Sequence, residues 1–522
     1  MIGTFASLVL MSQAKPQTLL IDPLKLVEAA EIWSVIGNAR NPVWPGWDAS
    51  KTPVMVYFPG RQEVLVNHPK PPEGFERYRG AFTSPIGSIF LRTGKTTFDL
   101  DGQNTSTEVN GVETLVVADT QSTKRQWIES IADSIVQEPS EADKIVEGGI
   151  FSDPMSSMTM FAHEAFHVYQ RKMAPKKGGN EMALARYPTL SVDNNTWLAI
   201  EADSLKAALE APNLGEARKA GVRWLAARQA RRKLLSKESA AYEDGTEFSE
   251  GLAMYVEYRT LQCLQGKTPG KDMWLVQGFA GYGDLTKERG KLISAMQHFM
   301  DGTNTVNNDL YGASPVRFRL YYSGMAIGAL LDRLGLKWHD RVLKTDDTLT
   351  SLATEALAAK PDDLSQATDE IRASVRFKEL WAQKTKLADD GAVYVREQVA
   401  KFTDGPGELV LDYSQLKSPK VGFAFTPFGI LSVNPDQTIY RLIPIRGLIG
   451  ALNFSEDSPR AILHDTKVKT VHIQLTGQPT MDGIGADGTV NAKELKLPGV
   501  SLKDVKGKVV IEGKRVTIRL ED

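Results

Sequence analysis

The chain has 522 residues, too many for one ordinary core, and its 62 lysines and arginines nearly balance 64 aspartates and glutamates. That length argues for two to four domains, and the charge balance removes any general electrostatic case for nucleic acid or an anionic membrane as the partner. With a single cysteine, Cys263, no internal disulfide can form, and thiols account for neither the fold nor a metal site.

In chain order, Ile2 to Met11 is mostly apolar and Ser12-Gln13-Ala14 has the small-x-small pattern of a cleavage site, although no cationic segment precedes it. Residues 1–14 are read as a candidate signal peptide, with a periplasmic or extracellular location as its corollary and the cytoplasm as the alternative. This apolar run is too short to span a bilayer, and Met325 to Leu331 is shorter still, so no transmembrane segment is expected.

Residues 15–123 read as a β-rich N-terminal domain. An early helix, Leu24 to Trp33, precedes strands at Val54–Phe58, Glu63–Val66, Thr96–Leu100 and Glu113–Val117, separated by turn residues such as Pro59-Gly60 and Asp101-Gly102. Trp44-Pro45-Gly46-Trp47 and Pro71-Pro72 are rigid and aromatic, which suits packed loops or, as the alternative, a wall of a substrate cleft.

Residues 124–402 turn helical. Gln126 to Val136 is amphipathic, and after loops at Gly148-Gly149 and Asp153-Pro154 comes the stretch Phe161-Ala162-His163-Glu164-Ala165-Phe166-His167-Val168-Tyr169-Gln170. This is H-E-x-x-H on a helix: His163 and His167 lie just over one turn apart, so both imidazoles leave one face and can grip one metal ion. Glu164, a quarter-turn away, is placed to deprotonate water at that metal without being a ligand. Histidine is scarce, seven in the chain, so composition alone seldom yields the pattern. The alternative is an ordinary amphipathic helix with two histidines.

Helices are expected at Thr196–Ala211 and Gly215–Tyr242. The basic run Arg228, Arg231, Arg232 and Lys233 is read as a solvated helix face, with an anion site as the alternative. Asp244-Gly245 is expected to break the helix, and Thr246 or Ser249 to cap the next. That next helix carries Glu250 and Glu257 seven residues apart, hence on nearly one face, and its Gly251 and Ala253 permit a close neighbour. A carboxylate from a second helix would complete a three-ligand catalytic zinc site; Glu250 is the chosen ligand and Glu247, on a stripe with Glu243, its rival. Glu257 is placed to accept the ring N–H of a ligand histidine, or else is a solvated or ion-paired glutamate.

Together, His163-Glu164-x-x-His167 and Glu250-Gly251-x-Ala253-x-Tyr255-x-Glu257 resemble the gluzincin metallopeptidases, especially the aminopeptidase-N-like branch with its N-E-G-F-A-x-Y-x-E segment. The resemblance implies that Glu250 is the third zinc ligand. It also implies that Tyr321 in Tyr321-Tyr322-Ser323-Gly324-Met325-Ala326, similar to the branch's Y-E-K-G-A segment at the entry to a helix, donates a hydrogen bond to the reaction's oxyanion, with Tyr322 close behind. Arg317 and Arg319 nearby are read as surface residues or as binders of a substrate carboxylate. The connection from His167 to Glu250 is much longer than in that branch, which implies a helical insertion over 171–245. Ser249 replaces the usual asparagine, and no G-x-M-E-N segment is present to hold a free amino terminus, which favours an endopeptidase. Met254 stands where thermolysin-type enzymes carry aspartate.

The other histidines, His68, His298, His339, His464 and His472, lack metal-ligand spacing, and neither a G-x-S-x-G elbow nor a P-loop occurs. After Gly405-Pro406-Gly407, residues 403–522 read as a β-rich C-terminal domain of sandwich size, ending in a hairpin around Glu512-Gly513-Lys514. The expected whole is an α+β multidomain protein: a mainly α-helical zincin-like catalytic domain flanked by β-rich domains, binding one Zn2+ and hydrolysing peptide or protein substrates. Two rivals belong to other classes: a zincin-fold binding or scaffold protein whose β domains carry the function, and a helical protein with no metal.

Overall fold

A computed structural model describes residues 17–100, 102–124, 153–303, 310–479, 485 and 487–522. The candidate signal peptide, the helix expected at Gln126–Val136 and the Gly148-Gly149 loop lie outside these residues. The middle of the chain is helical and its N- and C-terminal parts are β-rich. Among the described residues no helix is long and apolar enough to cross a membrane.

By internal contact the chain forms two units, residues 1–175 with 256–289, and residues 176–255 with 290–522. This grouping cuts across the three segments suggested by composition: the H-E-x-x-H helix belongs with the N-terminal strands, and the later helices with the C-terminal sheet.

In the first unit, β1 (Val54–Phe58), β2 (Gln62–Val66), β3 (Glu76–Arg77), β4 (Ile89–Thr93), β5 (Thr105–Val109) and β6 (Val112–Ala118) form a sheet in the order β3-β4-β2-β1-β6-β5. The central strands β1 and β2 are buried almost throughout, so neither alternates between core and solvent, and the polar Gln62 and Glu63 that open β2 are buried with the rest. Thr96–Leu100 is not a strand. The buried Glu63 carboxylate accepts the backbone N–H groups of Thr97 (2.5 Å) and Phe98 (2.9 Å), which fixes a loop where a sheet ladder was expected. Helices α1 (Leu24–Ile36) and α2 (Pro154–Met173) complete the described framework of this unit's first segment.

The second unit begins with helices α3 (Val192–Glu210), α4 (Leu214–Arg232) and α5 (Lys237–Thr246). The helix break falls before Ser236, whose side chain caps α5, and Asp244-Gly245 does not break it. Gly245 is there for proximity: a Cβ on it would lie 2.3 Å from the carbonyl oxygen of Gly178. Thr246 makes no capping bond; the chain runs through a π-helical turn, Glu247–Gly251, directly into α6 (Leu252–Leu264), which from Val256 onward belongs to the first unit. Helices α7 (Ser314–Arg333) and α8 (Val375–Asp404) follow.

Strands β7 (Gly407–Asp412), β8 (Val421–Ala424), β9 (Ile430–Asn434), β10 (Gln437–Tyr440), β11 (Arg446–Ile449), β12 (Leu452–Glu456), β13 (Ile462–Asp465), β14 (Thr470–Leu475), β15 (Thr489–Leu497), β16 (Val500–Glu512) and β17 (Arg515–Leu520) then build one sheet. Its order is β8-β11-β12-β16-β17-β7-β14-β13-β10-β9, with β15 on β16, so the strands of this β-rich part join in a single continuous sheet. The expected hairpin joins β16 to β17, and β17 also pairs in parallel with β7. The inward residues of these strands share one apolar core with Leu184, Tyr187, Tyr242, Val316 and Leu320 from the helical part of the unit.

Candidate metal centre

Helix α2 starts at Asp153-Pro154, which the sequence suggested was loop. Asp153 accepts the backbone N–H of Met155 at 3.1 Å, and Pro154 occupies the first helical position, where its missing N–H costs nothing. The apolar side of α2 is wedged by the Trp44-Pro45-Gly46-Trp47 loop. Trp44 and Trp47 are buried, with ring centroids 4.6 and 5.2 Å from that of Phe166. Asn41 holds the loop in place, donating to the carbonyls of Trp44 (3.1 Å) and Trp47 (2.6 Å) and accepting the Trp44 N–H (2.7 Å). These tryptophans therefore brace the helix that carries the histidines.

Two acceptors orient the imidazoles. His163, which is buried, donates its Nδ1–H to Glu257 Oε1 at 2.6 Å, and Thr159 donates to the other oxygen of Glu257 at 3.1 Å. His167 donates Nδ1–H to Gln170 Oε1 at 3.1 Å. An acceptor at each Nδ1 assigns the proton there and leaves Nε2 as the lone-pair nitrogen, the tautomer a metal ligand needs. Glu164 is half-buried, one residue along from His163.

Glu250 sits in the π-helical turn that leads into α6, and Glu257 is two turns further along the same continuous helical backbone. Arg317 donates to Glu250 Oε1 at 3.0 Å and also pairs with Glu181, whose second oxygen accepts from Tyr242 at 3.1 Å. Arg317 is neither a surface residue nor placed by these bonds to take a substrate carboxylate; Glu181 and Glu250 already occupy it. Tyr321 lies inside α7, one turn after Arg317, and not at a helix start as its motif suggested. Its phenol is pushed well above the ordinary range by burial, reinforced by its hydrogen bond to the Glu250 carboxylate. Tyr321 is thus a neutral donor beside Glu250, and Tyr322 instead stacks on Phe299, centroids 4.9 Å apart. Arg319 is buried and donates to Asn195 at 2.9 Å.

His163, His167 and Glu250 each offer one ligand atom, and these atoms all lie within 4.8 Å of one another. The group could hold a metal ion: two imidazole nitrogens and a carboxylate oxygen suit zinc and its neighbours in the first transition row. The rival ligand Glu247 is engaged elsewhere, buried against Arg228 and accepting from Ser323 at 2.5 Å.

The basic run is not a solvated face. Arg228 and Arg231 are completely buried; Arg228 reaches Glu201 at 3.0 Å and Glu247, while Arg231 reaches Glu201 at 2.5 Å and Glu243 at 2.6 Å. Burial alone would raise the Glu243 carboxyl, but Arg231 and Arg232 hold it far below the ordinary range. Glu181 and this network escaped sequence reading, because their partners are distant in the chain. Gln170 was within reach of it, three residues after His167 on the same helix face.

Among the remaining histidines, His68 is buried and bonded to Val109 O (3.0 Å) and the Lys70 N–H (3.1 Å), His464 to the Tyr413 hydroxyl (2.8 Å) and His472 to Glu408 (2.7 Å). In three comparisons, no family model, no curated protein and no solved structure matched the chain. The likeness to gluzincins therefore rests on the short motifs alone.

Proposed function

We propose that this protein is a zinc-dependent hydrolase, a metallopeptidase of gluzincin type that cleaves within polypeptide chains. The observation that carries the reading is the convergence of His163, His167 and Glu250 ligand atoms within 4.8 Å, with Glu164 beside them on α2. A zinc ion held there would supply a Lewis acid and bring the pKa of water at the site to about 7. Glu164 receives the proton from the attacking water and hands it to the leaving amine. Tyr321, kept protonated, turns its single O–H from Glu250 to the oxygen that gains charge as the carbonyl carbon becomes tetrahedral. Glu257 and Gln170 keep both imidazoles in the ligating tautomer throughout.

The test pairs elemental analysis with cleavage of unstructured casein. The parent protein binds one zinc per chain and cuts. Glu164→Gln keeps its zinc while cleavage falls by about 100-fold or more. A parent that takes up no zinc, or a Glu164→Gln protein that cuts at the parental rate, overturns the proposal. Zinc without any turnover in the parent favours the scaffold alternative.

A further inference from the structure

The segment between His167 and Glu250 contains α3 and α4, and from them come the side chains that grip the turn carrying Glu250. Glu201 of α3 and Arg228 and Arg231 of α4 are all completely buried, as are Glu243 of α5 and, to 1%, Glu247 at the start of the π-helical turn. Glu201 bridges the two arginines (3.0 and 2.5 Å), Arg231 holds Glu243 (2.6 Å), and Arg228 holds Glu247. From the opposite side, Ser323 of α7 donates to Glu247 at 2.5 Å. Beside it, Gly324 lies so near the turn that a Cβ there would be 2.6 Å from the Glu247 carbonyl oxygen. Glu247 and Glu250 thus stand at the two ends of one wide turn, the first clamped and the second turned to its ligand position.

Burying this many charges is a poor way to gain stability, since well-packed apolar residues of similar volume generally do as well or better. What a buried lattice of paired charges does supply is geometry, because a displacement leaves a charge without its partner. Wide π-helical turns are also uncommon and concentrate where a side chain must be re-aimed for function.

We infer that α3 and α4 are a positioning device for the third metal ligand. The Glu201–Arg228–Arg231–Glu243–Glu247 lattice, with Ser323, holds the π-helical turn open so that Glu250 faces the histidines. Arg228, Glu247 and Ser323 are positioning residues that touch neither metal nor substrate. The inference rests on the metal reading of His163, His167 and Glu250.

The experiment measures zinc affinity by competition with a chromophoric chelator, the absorption spectrum of the cobalt-substituted protein, and Tm, in the full chain. Arg228→Met takes from the buried Glu247 its close arginine, leaves Glu201 with Arg231 alone, and lowers both Tm and zinc affinity. The double variant Arg228→Met, Glu247→Met removes the charges together and regains the lost Tm, yet its zinc affinity stays about 10-fold or more below the parent's and its cobalt spectrum stays altered. A double variant with parental zinc affinity and spectrum overturns the inference, because the lattice is then only structural. Should the double variant fail to fold, Ser323→Ala decides: it keeps the fold and weakens zinc several-fold, and parental affinity refutes the role. A parent that binds no zinc removes the metal reading itself, whereas a parent that binds zinc beside unaffected variants removes only the positioning role.

Discussion

The Nδ1–H of His163 points at the Glu257 carboxylate across 2.6 Å, and Thr159 holds the other carboxylate oxygen at 3.1 Å. An imidazole steadied in this way is both oriented and made more basic at its far nitrogen. Replacing Glu257 by alanine is expected to weaken zinc binding by about 10- to 100-fold while cleavage at saturating zinc is partly retained. Chelator competition on the purified variant measures this, and an unchanged affinity would show that the carboxylate is only an ion-pair partner.

Tyr321 offers a prediction of the opposite kind. Its phenol is a donor to Glu250 and not a ligand, so Tyr321→Phe should keep its zinc, with affinity lowered by no more than about 10-fold through loss of that bond. On the proposed mechanism turnover number should fall by about 100-fold, because a hydrogen bond made only as charge develops would be lost. A raised KM with turnover intact would point to substrate binding instead.

Gly251 and Gly324 let the π-helical turn and α7 meet backbone to backbone. A Cβ on Gly324 would lie 2.7 Å from the Gly251 Cα and 2.6 Å from Glu247 O. An exposed helical Gly→Ala exchange usually stabilises by about 0.5–1 kcal/mol. Here the sign reverses: Gly324→Ala should cost about 1–3 kcal/mol, read as a lower midpoint in urea. A variant as stable as the parent would mean that the two helices separate without penalty.

Lys384 provides a pH signature away from the site. Burial, aided by Arg319, pushes its ammonium from 10.5 down to about 8, and it donates to the carbonyl of Asp301. Below pH 8 the group is charged in both states and the fold bears the full desolvation cost. From about pH 8 up to the unfolded value near 10.4 the unfolded chain binds more protons, so this contribution to stability rises with pH. The unfolding free energy of Lys384→Met relative to the parent should therefore fall by as much as about 3 kcal/mol between pH 7.5 and 10.5. A gap that stays constant across that range would place the lysine in water.

Much of this was legible in the chain because it depends on local spacing. His163, Glu164 and His167 announce a helix face, and Glu250 and Glu257 announce a second one, since seven residues on a helix fix a direction whatever surrounds it. Strands β1, β2, β6, β16 and β17 were legible from β-branched runs between turn residues. What failed depended on partners far away in sequence. Arg228 and Arg231 are written like any solvated basic run, and only Glu201, Glu243 and Glu247 make them interior. Gly245 looks like a helix breaker until Gly178 arrives beside it. Thr96–Leu100 has strand composition, yet a single buried carboxylate, Glu63, captures its backbone first.

The place of β17 in the C-terminal sheet also orders events in time. Arg515–Leu520 pairs with β16 on one side and with β7 on the other, so the sheet's final strand in the chain is an interior one. While the ribosome is still short of Leu520, β7 has an unfilled edge facing β16, and the apolar residues Val516 and Ile518 are missing from the core. Newborn chains stalled or trimmed before that point would offer neighbouring molecules an open hydrogen-bonding ladder, the ordinary starting point for aggregation.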